Sequence, residues 1–184
     1  QMEIEYFFDP EKADWQVLMD SWKESMWTFV TKTLGIREEN LRWRKHTDKE
    51  RSHYSKDTYD LDYNFPFGWD EIAGHANRTD YDLKNHINLS GADLMVKDEE
   101  SQKEFIPYVV EPTFGLDRIT LAVLLEAYSE VEPRSGDDAA VHEKEIVLRL
   151  PKSLAPIKVA VLPLSKKEEL TKPAQEIYVQ LRKH

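Results

Sequence analysis

Thr58-Tyr59-Asp60-Leu61-Asp62-Tyr63, then the break Asn64-Phe65-Pro66, then the run from Phe67 to Ala76, is the stretch that decides the fold. The first segment alternates strictly, so Thr58, Asp60 and Asp62 share one face and Tyr59, Leu61 and Tyr63 the other. The second reads as a strand that sets Trp69, Glu71, Ala73 and His75 on one face. Two neighbouring strands with carboxylates on the same side predict an antiparallel sheet that lines a polar cleft. Carboxylates gathered on one sheet repel unless Mg²⁺, an ammonium group or arginine lies among them, or unless they point to solvent from an edge.

Working outward, Leu41-Arg42-Trp43-Arg44-Lys45 predicts a strand, and Thr47-Asp48-Lys49-Glu50 has the capping-box form of a short helix running to His53-Tyr54. Met2-Glu3-Ile4-Glu5-Tyr6-Phe7 predicts a strand with Glu3 and Glu5 on one face. Asp9-Pro10 supplies a cap and a first-turn proline, and Trp15, Leu18, Met19, Trp22, Met26 and Val30 recur at helical spacing until Gly35, which predicts a helix over 10–34 with its tryptophans in the core. A helix is expected over Tyr81–Leu89 behind Asp80. Ile106 to Glu111 predicts a strand, and Leu116 onward a helix apolar around most of its circumference and therefore buried. Residues 131–144 form a loop or hinge, Ile146 to Leu150 a strand, Pro151 to Pro156 a linker, Ile157 to Leu162 a strand, and Thr171 with Pro173 leads a last helix.

Composition narrows the function classes. The 184 residues include 20 aromatics and carry a net charge of −10, which describes a globular chain with a real core. Zero cysteines exclude disulfides, thiolate zinc sites and cysteine nucleophiles, and fit a reducing compartment. The six histidines lack the close pairing of zinc sites. Neither a long apolar run nor a signal-peptide pattern is present, so a soluble, cytoplasmic, membrane-free protein is expected. Residues 151–184 hold seven Lys/Arg against three Glu, a local +4 that faces an anion or forms a solvated helix face.

The densest chemistry lies at Glu111-Pro112-Thr113-Phe114-Gly115-Leu116-Asp117-Arg118, a strand running into a helix. Gly115 permits close backbone approach, the helix start offers unpaired N–H groups, and Arg118 adds a fork of donors suited to phosphate. The same pattern also marks a plain turn with an arginine paired to a carboxylate such as Asp117. No G-x-S-x-G, Walker A or G-x-G-x-x-G pattern occurs.

Taken together, Gln1-Met2-Glu3-Ile4-Glu5-Tyr6-Phe7, Leu41-Arg42-Trp43-Arg44, His53-Tyr54-Ser55, Phe65-Pro66-Phe67-Gly68-Trp69 with Glu71, Ala76-Asn77-Arg78-Thr79-Asp80-Tyr81-Asp82-Leu83, Glu111 to Arg118 and Leu154-Ala155-Pro156-Ile157-Lys158-Val159-Ala160 resemble the glycyl-tRNA synthetase family in its homodimeric class II form. The resemblance runs in collinear order from the first residue to about Leu181. It implies an α+β fold: a class II antiparallel sheet with flanking helices over 1–150, from within the second class II motif through the third, and the start of an α/β anticodon-binding domain over 151–184. By the same resemblance Gln1, Met2, Glu3, Glu111, Pro112, Thr113, Phe114 and Gly115 meet glycine, and Glu71, Ile72, Gly115, Leu116, Asp117 and Arg118 meet ATP. Glu71 and Arg118 are the catalytic pair, with Glu71 the candidate for Mg²⁺.

Implied partners are glycine, ATP, tRNA(Gly) and, in the full-length protein, a second subunit. The resemblance also carries departures. Thr113 stands where the family usually has Ser, and His75 where members often carry Ile. The first motif and the α-phosphate arginine of the second lie outside the chain, which leads to the expectation that the chain alone is inactive. The alternative readings are a non-catalytic synthetase-like binding or assembly module, as the processivity subunit of mitochondrial DNA polymerase resembles this family, and a Mg²⁺-dependent nucleotide enzyme unrelated to tRNA.

Overall fold

A computed structural model describes residues 1–52, 55–132 and 144–183. The chain divides into two compact units, Gln1–Pro151 and Lys152–His184. The first is an α+β unit built on one antiparallel sheet. Its strands are β1 (Met2–Glu3), β2 (Tyr6–Phe8), β3 (Leu41–Lys45), β4 (Asp57–Phe65) and β5 (Gly68–Thr79). After α2 (Tyr81–Ser90) and a small hairpin of β6 (Val96–Lys97) with β7 (Glu104–Phe105) comes β8 (Tyr108–Phe114). The order across the sheet is β1-β8-β5-β4-β3, with β2 also on β8.

Helix α1 (Trp15–Thr28) and helix α3 (Leu116–Ala127) cover one face of this sheet. Met19, Met26, Leu61, Ala73, Val110, Phe114, Ile119 and Val123 are buried between them, each of these side chains larger than alanine contributing roughly 1.5–3 kcal/mol of burial. Trp15 and Trp22 pack partly buried on that core, where the helical spacing predicted them.

The predicted helix over 10–34 is shorter at its start. Asp9 instead closes a turn, its carboxylate accepting from the Glu11 N–H at 2.8 Å and its carbonyl from the Ala13 N–H at 3.0 Å. Asp14, in an extended conformation, then caps α1 by accepting from the Gln16 N–H at 2.9 Å. A proline at position 10 suits a cap at Asp9, but Asp14, five residues on, is the cap the helix uses, and the turn over 9–13 lies outside it. The helix continues as a π-turn over Phe29–Thr33 and stops at Gly35, whose φ of +74° only glycine adopts readily.

The predicted strand over Met2 to Phe7 is two strands, and the reason is a proline. Pro112 lies in the middle of β8, fully buried, where a ladder N–H would be expected. Its carbonyl accepts from the Ile4 N–H at 3.0 Å, so its ring nitrogen faces the same edge and offers no donor back. The ladder lapses there. β1 and β2 pair with β8 on either side of Ile4-Glu5, at Glu3↔Thr113 and Tyr6↔Val110.

The larger correction concerns β5. Leu61 pairs with Ala73 but the next residue, Asp62, pairs with Glu71, so Ile72 is an extra residue in β5. Trp69 and Glu71 therefore lie on the Asp60 and Asp62 face. Ala73 and His75 lie opposite Leu61 and Tyr59 on the helix-covered face, and the four residues do not share one side. The bulge also frees two carbonyls. That of Ile72 accepts from the Gly115 N–H at 2.9 Å and that of Glu71 from Arg118 Nη1 at 2.7 Å.

Other expectations differ in detail. Helix α3 starts at Leu116 as expected, but Leu116, Leu121 and Leu124 are exposed, so an apolar circumference did not mean burial all round. Thr47 and Glu50 make the capping-box contact, 3.0 Å from the Thr47 N–H, yet it closes only a turn, and the expected continuation at His53-Tyr54 lies outside the described residues. The loop expected over 131–144 falls mostly outside them too; β9 (Tyr128–Val131) and β10 (Glu145–Leu148) pair across it.

In the second unit no ladder forms over Ile157 to Leu162, because no described strand lies alongside to accept its hydrogen bonds. Helix α4 (Glu168–Leu181) begins before Thr171 and contains Pro173. The Lys167 carbonyl closes its first turn with the Leu170 and Thr171 N–H groups, both at 3.0 Å.

Candidate active site

The uncovered face of the sheet is charged. Register places Arg42 opposite Asp62 and Arg44 opposite Asp60, then Asp60 opposite Gly74, Gly74 opposite Thr113, and Thr113 opposite Glu3. The bulge adds Glu71, two-residue spacing adds Ala76 with Glu111, and Arg78, at a second irregularity between Asn77 and Thr79, reaches Glu111 by its guanidinium. The acidic strands are held together mainly by arginine.

Asp60 and Asp62 are buried. Arg42 reaches Asp62 at 3.0 Å while stacking its guanidinium 4.4 Å from the Trp69 ring centre, and Arg44 and His46 both bond Asp60. Lys45 with Tyr59 OH satisfies one oxygen of buried Asp57. The pairs at Asp60 and Asp62 answer the question of what keeps two carboxylates of β4 on one face, while Asp57 alternates to the opposite face with Tyr59.

Two hollows open on this face. One, of about 400 Å³, is lined by Gln1, Glu71, Ile72, Thr113, Phe114, Gly115, Leu116, Asp117 and Arg118. It gathers every residue expected at ATP together with part of the set expected at glycine. Arg118 Nη1 is anchored by the Glu71 carbonyl and by Asp70 at 3.2 Å, rather than by its neighbour Asp117. Glu71 is half-buried, and desolvation, reinforced by nearby Asp60, holds its carboxyl above the usual range against the opposing pull of Arg118.

The second hollow is lined by Glu3, Glu5, Arg78, Asp82, His86 and Glu111, among others. The carboxylates of Glu3, Glu5 and Glu111 come within 4.8 Å of one another. Burial, and then Glu111, push the Glu5 carboxyl up. Glu111 is buried and accepts from Arg78 Nη1 at 2.6 Å, while Arg78 Nε bonds Asp82 at 2.6 Å at the start of α2.

Arg78 belongs to the Ala76–Leu83 motif, and the sequence alone assigns it no role. Its signal was present in the pattern Arg78-x-x-x-Asp82, an i, i+4 pair that pins α2 to the end of β5 and aims the guanidinium at Glu111. Met2, Pro112 and Phe114, also expected at glycine, alternate to the helix-covered face. Phe114 meets Phe29 edge-on there, at 5.7 Å between ring centres. Only the backbone of these three can face the cleft.

A face with two carboxylates beyond what its arginine neutralises suits an ammonium group, and an anchored arginine beside a helix start suits phosphate oxygens. No family model matches the chain. Among curated proteins it is 47% identical to a glycine–tRNA ligase of Streptomyces coelicolor over 188 aligned residues, covering all of this chain and 40% of that protein. It is 45% identical to the glycine–tRNA ligases of Clostridium perfringens and Geobacillus kaustophilus over 185 residues, again the whole chain and 38% of each. The chain thus spans about two fifths of the length of the curated relatives it matches. Identity at this level, sustained along the entire chain among relatives that carry one activity name, shows that the chain belongs to the glycine–tRNA ligase family.

Proposed function

We propose that this chain supplies the part of a glycine–tRNA ligase that receives the glycine ammonium and the outer phosphates of ATP. Unit Gln1–Pro151 is then part of a class II catalytic core and Lys152–His184 the start of an anticodon-binding domain. The full-length protein would form glycyl-adenylate and pass glycine to tRNA(Gly), acting as a homodimer in the cytoplasm. The observation that carries the reading is the shared face. Glu3 and Glu111 stand at one end of a trough whose other end holds Glu71 and Arg118.

Adenylate formation needs no enzyme nucleophile, because the glycine carboxylate itself attacks the α-phosphorus and pyrophosphate leaves. Catalysis is then positioning plus neutralisation of charge. Glu3 and Glu111 hold the ammonium, with Arg78 fixing the rotamer of Glu111. The Thr113 hydroxyl lies between the two ends. Arg118, immobilised through Nη1, keeps its other N–H groups for the γ-phosphate. Glu71 fits a hard cation, since its burial beside Asp60 leaves it short of positive charge. Mg²⁺ bound there would neutralise phosphate charge.

The test is ATP–pyrophosphate exchange in the full-length protein with each amino acid in turn. Exchange that depends on glycine alone is expected. Exchange with a different amino acid, or none with glycine, refutes the assignment.

A further inference from the structure

We infer that Gly74 is the specificity floor of this site: by lacking a side chain between Thr113 and Glu71, it holds open the passage through which the two hollows meet. The inference deepens the ligase reading and rests on it.

Gly74 sits in the middle of β5, partly exposed on the cleft face, opposite Asp60 on one side and Thr113 on the other. Its backbone does not need glycine. The glycines with positive φ among the described residues are Gly35, Gly68 and Gly91, and glycine inside a strand otherwise weakens it. What requires glycine is space. A Cβ at this position would stand 2.8 Å from Thr113 Oγ1, closer than real Cβ atoms approach, and 3.5 Å from Glu71 Oε1.

The next residue on this face, Ala76, is also small, so the floor of β5 runs Gly74-x-Ala76 before Arg78. The walls are Asp60 on one flank and Thr113 with Glu111 on the other. An α-amino acid with its ammonium at Glu3 and Glu111 and its carboxylate directed toward Arg118 has to lie across this floor. A methyl group on Gly74 would push the Thr113 hydroxyl off its position and raise the floor under the substrate α-carbon.

Threonine tightens the constraint. Its hydroxyl shares Cβ with a methyl, so one of the two ways of turning the oxygen away swings a carbon into the gap, whereas a serine hydroxyl can rotate out either way. The cost of a side chain at position 74 should therefore depend on which hydroxyl residue stands at position 113.

The experiment is a double-variant cycle in the full-length protein, read by glycine-dependent pyrophosphate exchange. Gly74→Ala should raise the KM for glycine by about tenfold or more and change the KM for ATP by less than about threefold. In a Thr113→Ser background the same Gly74→Ala change should raise the glycine KM by no more than about threefold. An unchanged glycine KM, an equal rise for ATP, or the same cost in both backgrounds overturns the inference. If Gly74→Ala alone folds poorly, the comparison of Thr113→Ser with the double variant decides, since the room made by serine removes the clash. Absence of glycine-dependent exchange in the unsubstituted protein refutes the ligase reading itself, a result distinct from any of these.

Discussion

Replacing His75 by isoleucine should flatten the acid side of the stability profile. His75 is 1% exposed, and its ring shares a 3.0 Å hydrogen bond with the Met19 carbonyl in α1, which makes Nε2 the protonated nitrogen. Burial lowers its pKa from 6.5 to about 4, with Lys23 and Asp20 of α1 acting in opposite senses and backbone carbonyls opposing the shift. A depressed base loses folding stability as the pH falls. Below about 6.5 the unfolded chain takes up a proton that the folded chain refuses until about 4, so the loss accumulates across that window and then stops. Between pH 7 and pH 5 it amounts to about 2 kcal/mol. Isoleucine does not titrate, and every other group is common to both proteins. Urea unfolding at pH 7 and pH 5, followed by tryptophan fluorescence, should give a drop about 2 kcal/mol larger for the histidine protein than for His75→Ile. Drops equal to within about 0.5 kcal/mol would mean that the ring is already charged or hydrated in the folded state, and the account of this face would be wrong.

Glu111→Gln in the full-length protein should raise the glycine KM by about tenfold or more, because a charge-assisted acceptor for the ammonium is lost. Arg118→Ala should instead act on ATP; steady-state kinetics in both substrates separates the two, and a reversed pattern would exchange the assignments of the hollows. Arg78→Leu leaves buried Glu111 without its 2.6 Å partner and should cost about 3 kcal/mol in urea unfolding. Glu111→Gln should recover part of that loss in the double variant, whereas strict additivity would show that the pair is not coupled. The β1–β2 edge exposes Met2, Ile4, Tyr6 and Phe7 beside backbone that pairs only with β8 among the described residues, so the chain should associate as its concentration rises. Static light scattering should show this and Phe7→Lys should reduce it, while a monomer at every concentration would contradict it.

The parts of the fold that could be read from the sequence are those where one periodicity spans a whole element. The Thr58 to Tyr63 alternation recurs in β4, Leu41 to Lys45 is β3, and the Gly115 junction opens α3 where the composition switches. The parts that could not be read depend on a neighbour. The extra residue at Ile72 is recognisable only once β4 fixes the register on either side of it, and it moved His75 off the face expected for it. The break at Ile4-Glu5 originates in Pro112, more than a hundred residues away in sequence. Ile157 to Leu162 has the composition of a strand but no described partner to make it one. Within the cleft, Glu71 and Arg118 were recognisable as residue types near a glycine turn. Arg78 could be paired with Asp82 from its i, i+4 spacing, but its contact with Glu111 is one that no local spacing encodes.

The bulge at Ile72 makes chain length as constraining as chain chemistry. With a surplus residue at Ile72, β5 changes phase there, delivering Trp69 and Glu71 to the cleft on one side of it and Ala73 and His75 to the helices on the other. Excising that residue would keep every remaining side chain and a pairable backbone, yet it would turn one half-strand over, sending Glu71 into the apolar layer or His75 into the cleft. Between Trp69 and Gly74, insertions and deletions should therefore be tolerated less well than most exchanges of one residue for another, and the count of residues there is itself part of the site.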